Sequence, residues 1–561
     1  MPTELKFKRK SKLEIDSLPI EDGVIYFSTD TSEIFMDNGE ERLSYFGSKD
    51  QEESDRDKLE KYIESYYAMK RTGKVYQTKF YKFSTNPTSE GEKLLSNAGL
   101  VFEPSTDTAE GQDDYLNGQH PMFEWVNVNY IRDDDGTARP IAIEGMDNYA
   151  TSGSVDVGTM QMSFYWKWDT SNVEYDLITV SDSPHTELGL QPWPECVKED
   201  GTVLPWCIGS KYVSGIASDG LLRSQPGLKP ERKQCYNNMI TNYQLKGTGY
   251  WGAGTVRNLF QIVFNAIKGA TKNSQTLYQG VVNWNFQYEA SVQRSENETY
   301  FPVTNAQAAN LVVGNYVSVG YGYNNNGTVN LDRGRDDIHA YADDVKILSI
   351  EALDDANMAV YLDIDTGFNT TPVTLTEELS SPIVMSSMHA WSGMTDSVLG
   401  RHDGSPVSNT NGKMSYRVQG REYAVGGYIV ASDTVMEVQS DYGKKVYVAE
   451  KGTAHITSTT TIPTTYKIVG TVPASADGTG VDWWVGDIAV DMGTGVWYPS
   501  VEGSSSAQGY GDRCYGGGTS TSGFREYLQG GNLRDGSHAG SACLDCRYGL
   551  STANWYCLGC D

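Results

Sequence analysis

The residues best suited to chemistry lie close together near the end of the chain. Cys543-x2-Cys546-x10-Cys557-x2-Cys560 has the outline of a four-thiolate zinc site. Thiolates three positions apart can grip a tetrahedral ion. The gap of ten residues is shorter than the roughly 15–20 of a zinc ribbon. Disulfides and free thiols are the other readings of the same cysteines. Cys196 and Cys207, within PWPECVKEDGTVLPWC, could close a loop by a disulfide. No HExxH or nucleophile-elbow serine is present, and the seven histidines show no metal-ligand spacing. Asp332, Asp336 and Asp337 lack the residue order of a calcium loop and read as a solvated charged loop. Nothing here calls for a cofactor, a metal or a catalytic set, and the chain is read as a non-enzyme.

Recognition is the better chemistry for this region. From Gly523 to Asp561 the sequence is rich in Gly, Ser, Asn, Ala and Cys, with neither helical nor strand periodicity. Phe524, Tyr527, Trp555 and the Gly530-Gly531 pair argue for packed loops rather than a frayed tail. Binding residues tend to sit on such loops, held by a rigid scaffold. From Asn532 onward there is no Lys, Glu, Gln, Met or Pro. Every residue type there except Trp can be written by a codon ending in a pyrimidine. That is the set reached when adenines in asparagine codons are randomised. The proposed contact set is Tyr515, Arg534, Asp535, His538, Asp545, Arg547, Tyr548, Asn554 and Tyr556. It combines rigid aromatic area with adaptable hydrogen bonding, the mix used by antibody loops.

Composition narrows the partners. With 45 basic and 73 acidic residues the formal charge is −28, the wrong sign for a nucleic-acid footprint. Many Tyr, Trp and Gly residues suggest a β-rich protein with wide loops. The basic cluster Lys6, Lys8, Arg9, Lys10 and Lys12 is followed by no apolar run, so it is not read as a secretory signal. No stretch approaches the roughly 18 apolar residues of a membrane span, and no membrane insertion is expected.

Several elements must position the loops. Residues 1–50 read as a small β module, with VIYFS and EIFMD as strands and Asp37-Asn38-Gly39-Glu40 as a hairpin turn. Residues 51–73 read as a short helical neck, with Ser54 as N-cap, Leu59, Tyr62, Ile63, Tyr66 and Met69 on one face, and Gly73 as stop. Residues 74–289 begin a globular domain whose clearest element is VRNLFQIVFNAIKG. Its Val256, Leu259, Phe260, Val263, Phe264 and Ile267 form an apolar stripe, with Thr255 as cap and Gly269 as stop. Residues 290–385 read as an inserted β domain, 386–561 as the rest of the globular domain, and 431–475 as a minor insertion. The expected class is α+β, β-rich.

Two resemblances join these parts. LPIEDGVIYFSTDTSEIFMDNGEERLSY resembles the N-terminal modules of tailed-phage tail and head fibres, which attach a fibre to the virion or trimerise it. Three further pieces are the helix with ATKNSQTLYQG (270–280), YRVQGREYAVGG (416–427) and GFREYLQGGNLRDGSHAG (523–540). In that order they resemble the C-type-lectin-like fold of the formylglycine-generating-enzyme superfamily, especially phage members whose terminal loops are diversified by retroelements. Arg525, Gly530, Gly531, Gly536, Ala539 and Gly540 match its tail pattern, with Leu533 at or beside a frequent Trp. Leu558-Gly559 matches the close, where Cys560 and Asp561 replace the usual residues. The resemblance implies a virion-attached homotrimeric adhesin that binds a host surface protein or glycan. It also implies other virion proteins as partners of residues 1–50. A head-decoration fibre, a baseplate or neck subunit, and a superfamily oxidase are the alternatives. The oxidase would use a cysteine pair, and Cys543 and Cys546 do not have its spacing.

Overall fold

The computed structural model describes residues 6–21, 24–28, 34–37, 41–45, 55–82, 90–453, 455, 457, 461–475, 481–517 and 522–561. The fold is α+β and β-rich. Its helices are α1 (Lys12–Ser17), α2 (Asp55–Lys70), α3 (Tyr236–Gln244), α4 (Val256–Gly269) and α5 (Asn305–Ala308). Among the described residues no helix is long and apolar enough to cross a membrane.

The apolar stripe of α4 forms as its spacing predicts. Leu259, Phe260, Val263, Phe264 and Ile267 are all fully buried. The polar face is buried as well. Arg257 donates to the carbonyls of Ser210 and Glu422. Gln261 accepts from the Tyr416 hydroxyl, and Asn265 from that of Tyr278, both at 2.7 Å. The Lys268 ammonium sits 2.7 Å from both Asp113 and Asp403. A buried polar side chain is tolerated when it is hydrogen-bonded, and each of these has at least one partner, although Arg257 Nε and Asn265 Nδ2 have none among the described residues. Thr255 makes no side-chain cap. Its N–H instead donates to the Asp433 carboxylate, and Ala270 ends the helix in the left-handed region at φ 49°.

Two cores flank a nine-stranded sheet built from residues 428–558. Its strands run in the order Tyr466–Val472, Lys444–Ala449, Tyr428–Val438, Phe524–Gln529, Leu544–Asp545, Arg513–Tyr515, Trp483–Asp491 and Val496–Gly503, and Cys557–Leu558 pairs beside Tyr428–Val438. Side chains alternate along a strand, so successive residues serve opposite cores. Ala431, Met436 and Tyr527 join α4 and the five-stranded sheet that carries Phe80, Trp166 and Ile178. Tyr428, Val430, Val435 and Leu528 join α3 and a six-stranded sheet with strands between Gln287 and Ser387. Residues 431–475, read as a minor insertion, contribute strands to this sheet. Lys444–Ala449 and Tyr466–Val472 are ladder-bonded into the main sheet, and Val446, Val448 and Val472 are core. The Thr run lies partly outside the described residues.

The N-terminal strands Lys6–Lys10, Val24–Ser28, Ile34–Asp37 and Arg42–Tyr45 form a sheet in chain order, the first pair parallel. The expected turn at 38–40 and the cap at Ser54 lie outside the described residues. Ile25 and Met36 share a core with Leu59, Tyr62, Ile63, Tyr66 and Tyr67 of α2 and with Val128, Tyr130 and Trp206 of a four-stranded sheet. Within residues 51–73, α2 buries an aromatic face on its own chain. Tyr67 takes the place expected of Met69, which is 48% exposed. Arg139 and Glu60 clamp the helix in an ion pair.

Candidate functional site: an arginine–aromatic surface on the terminal loops

The three sequence pieces meet in space. Tyr278 stacks on Tyr416 with centroids 4.3 Å apart. The Ser541 N–H donates to Ser274 Oγ at 3.0 Å, and Gln275 Nε2 donates to the Gly536 carbonyl at 2.9 Å. The Leu533 N–H donates to the Gly426 carbonyl at 2.9 Å, and the Trp284 N–H to the Leu533 carbonyl at 3.0 Å. The terminal loops thus rest on backbone hydrogen bonds to the scaffold. Gly530 and Gly531 turn the chain at φ 99° and 92°, a region that favours glycine. At Gly540 a Cβ would lie 2.1 Å from Asp512 Oδ1, so a side chain is excluded there.

The nine predicted contact residues divide by burial. Arg534 and Arg547 are exposed, while Asp535, His538, Tyr548 and Asn554 are half-buried. Tyr515, Asp545 and Tyr556 are buried, unlike the other predicted contact residues. Asp545 lies under Arg547, paired at 2.6 Å, and its burial raises its pKa. Arg547 lies over the rings of Tyr515 and Tyr548, at 4.6 and 5.6 Å. The Tyr548 and Tyr556 hydroxyls bond to each other. Asp535 accepts from the Tyr428 hydroxyl at 2.7 Å and the Asn532 N–H at 2.9 Å, which holds the turn before Gly536. The Tyr515 hydroxyl pairs with His538 Nδ1 at 3.1 Å. Burial, then Arg513, lowers the His538 pKa. Asn554 Nδ2 is buried without a protein acceptor.

Three members of this surface were missed from sequence. Trp484 packs edge-on against His538 at 5.0 Å, and Arg513 lies over Trp484 at 4.6 Å. Strand alternation in Trp483-Trp484 was the available signal, since Trp483 is core and Trp484 half-buried. Arg333 comes from the loop of the six-stranded sheet region, with no sequence signal linking it to the terminus. Arg333 and Arg534 both approach the Trp555 ring, at 5.4 and 5.6 Å. Burial, then Arg534, lowers the Arg333 pKa to about 10. His389 also packs on Trp555 at 5.3 Å, and burial lowers its pKa to about 3.

Of the three cysteine readings, the structure has free thiols. All eight cysteines are free and buried. Cys543 and Cys557 face one core and Cys546 the other, because positions three apart on an extended chain point to opposite faces. The Cys546 thiol donates to the Tyr515 carbonyl at 3.1 Å, and the Cys560 thiol to that of Tyr212 at 3.3 Å. Cys207 donates to Glu195 at 3.4 Å rather than closing a loop with Cys196. Among the described residues no group of three or more metal-ligating side chains could hold an ion. Asp561, at the departure from the family pattern, is anchored by Lys246 at 2.6 Å and Arg132 at 2.8 Å.

Glu526 couples this surface to the fold. Its N–H donates to the Tyr548 carbonyl at 3.0 Å, and its carboxylate accepts from the Tyr236 N–H at the start of α3 at 2.9 Å. Burial raises its pKa to about 8, against about 4.3 for an unfolded chain. The folded state therefore binds more protons between those values, and this residue's contribution to stability falls as pH rises through that window. Glu526→Gln keeps an acceptor and cannot ionise. The variant is expected to melt like the parent at pH 4 and higher than it at pH 8. Equal melting at both pH values would contradict the assignment.

No protein-family model matches the sequence, and no curated protein matches it.

Proposed function

We propose that this chain is a virion-attached fibre protein of a tailed phage that binds a host-surface receptor through its terminal loops. One observation carries the reading. Exposed Arg534 and Arg547 sit on a layer of contacting aromatic rings, Tyr515, Tyr548, Trp555 and Tyr556, whose backbone is fixed by hydrogen bonds to buried scaffold. Exposed side chains on such a frame can be exchanged while the frame persists, which is what a diversified binding face requires. The loops are read as C-type-lectin-like, and residues 1–50 as the attachment module. Among the described residues, Arg513 and Arg534 make no ion pair. In a chain of net charge −28, free guanidinium groups at one face favour a partner that offers carboxylate or carbonyl oxygens.

The test separates contact from scaffold. Arg534 is exposed and touches only ring faces, at 5.6 Å from Trp555 and 4.9 Å from Tyr556. Arg534→Ala is expected to shift stability by within about 0.5 kcal/mol and to reduce attachment to host cells at least tenfold. Arg547→Ala is not equivalent, since it strands the buried Asp545 carboxylate and lowers stability as well. Trp555→Ala is expected to cost roughly 3–5 kcal/mol. Purified protein and cell-binding assays measure both properties. If Arg534→Ala, Tyr548→Ala and the double variant all bind cells like the parent, the receptor reading fails. The structural-fibre reading then takes its place.

A further inference from the structure

A second site lies at the start of α4 and shares no residue with the arginine–aromatic surface. It is a cavity of about 350 Å³, within the range of roughly 300–1,000 Å³ that holds small molecules. Trp251, Arg257 and Arg421 line it and are 8%, 4% and 1% exposed. Each carries one N–H that no protein acceptor meets: Trp251 Nε1, Arg257 Nε and Arg421 Nε. The other guanidinium nitrogens are committed. Arg257 donates to Ser210 and Glu422 carbonyls, and Arg421 forms a two-pronged pair with Glu195 at 2.9 and 3.1 Å. Arg421 is also packed over Phe260 at 3.7 Å. At Gly209 a Cβ would lie 2.2 Å from the Arg421 guanidinium carbon. These donors are thus held in place, each with one bond left to give.

Buried polar groups without partners are rare, and leaving one unmet costs about 1–3 kcal/mol. An occupant bearing oxygen atoms would supply acceptors to them. The wall also carries carboxylates, among them that of Asp433, which accepts from the Thr255 N–H at the start of α4. Five basic and six acidic side chains line the space, so it has no charge preference for an anion. A ligand with many hydroxyl groups suits this wall, since each hydroxyl both accepts from N–H and donates to carboxylate.

We infer that this cavity binds a small, neutral, polyhydroxylated molecule, with Trp251, Arg257 and Arg421 donating to its oxygens. The inference does not depend on the receptor reading. The full chain would be titrated by calorimetry with glucose, galactose and N-acetylglucosamine, and with glucuronate and inorganic phosphate as anionic arms. Saturable binding of at least one neutral sugar is expected. Trp251→Phe keeps an aromatic ring and removes the donor together with part of the indole. It should weaken that binding about tenfold, the worth of one hydrogen bond near the upper end of its range, with a modestly lower melting temperature from the lost packing. Arg534→Ala should bind the sugar like the parent. Binding of the anions alone, binding of no probe, or equal affinity in Trp251→Phe would each overturn the proposal. Loss of sugar binding in Arg534→Ala would place the sugar on the loop surface and overturn it too.

Discussion

Replacing Phe264 with Asp is expected to abolish cooperative folding. Phe264 is fully buried, with the rings of Phe260, Phe164 and Phe123 at 4.6, 5.5 and 5.8 Å. A carboxylate there would lose its water and gain no hydrogen bond from the surrounding rings. Lys268 lies one helical turn away, but its ammonium is already held between Asp113 and Asp403. The side chain would have to protonate or the core would have to open, and either cost approaches the whole stability of a typical domain. Urea titration followed by circular dichroism is expected to show no cooperative transition for Phe264→Asp. Phe264→Leu should remain folded with a lower midpoint. A cooperative transition at the parent's midpoint for Phe264→Asp would show that α4 is not the element the two main sheets depend on.

Lys268→Met carries the next largest expected effect. The ammonium is 1% exposed, between carboxylates that are themselves 0% and 1% exposed, and it lies over the Phe102 ring at 4.5 Å. Removing it leaves two buried carboxylates facing each other. Breaking a buried pair from one side typically costs about 3–5 kcal/mol, and here two anions lose their counter-ion together. Burial already raises the Asp403 pKa, with Lys268 opposing it. In the variant that opposition is gone, so a proton binds there more readily. The deficit of Lys268→Met should therefore be largest at pH 7 and shrink as pH falls toward 4. Adding Asp113→Asn and Asp403→Asn should restore part of the loss at pH 7. A pH-independent deficit would mean that lost packing of the lysine stem, not the stranded charge, sets the cost.

Local pattern was enough for some of this protein and not for the rest. The stripe of α4 and the strands Val24–Ser28 and Ile34–Asp37 are readable because a helix repeats every 3.6 residues and a strand every two. The β-rich class and the glycine bends at Gly530-Gly531 follow from residue types alone, since only glycine adopts such φ values freely. Periodicity says which face is apolar, but not what meets the other face. The partners of Arg257, Gln261, Asn265 and Lys268 come from positions 13 to 165 residues away, beyond the reach of a local pattern. The same limit governs the site. Arg534 and Arg547 were legible as exposed loop residues, whereas the burial of Tyr515, Asp545 and Tyr556 depends on strands hydrogen-bonded from distant segments. Trp484, Arg513 and Arg333 reach the surface only through sheet pairing and the packing of the six-stranded sheet. Cysteine spacing suggested one shared ion, but strand alternation sends the thiols into different cores. Sequence alone determined which segments are apolar, which are bent and which carry side chains suited to contact. Tertiary structure decided which of those side chains face water, because exposure is set by neighbours hundreds of residues away.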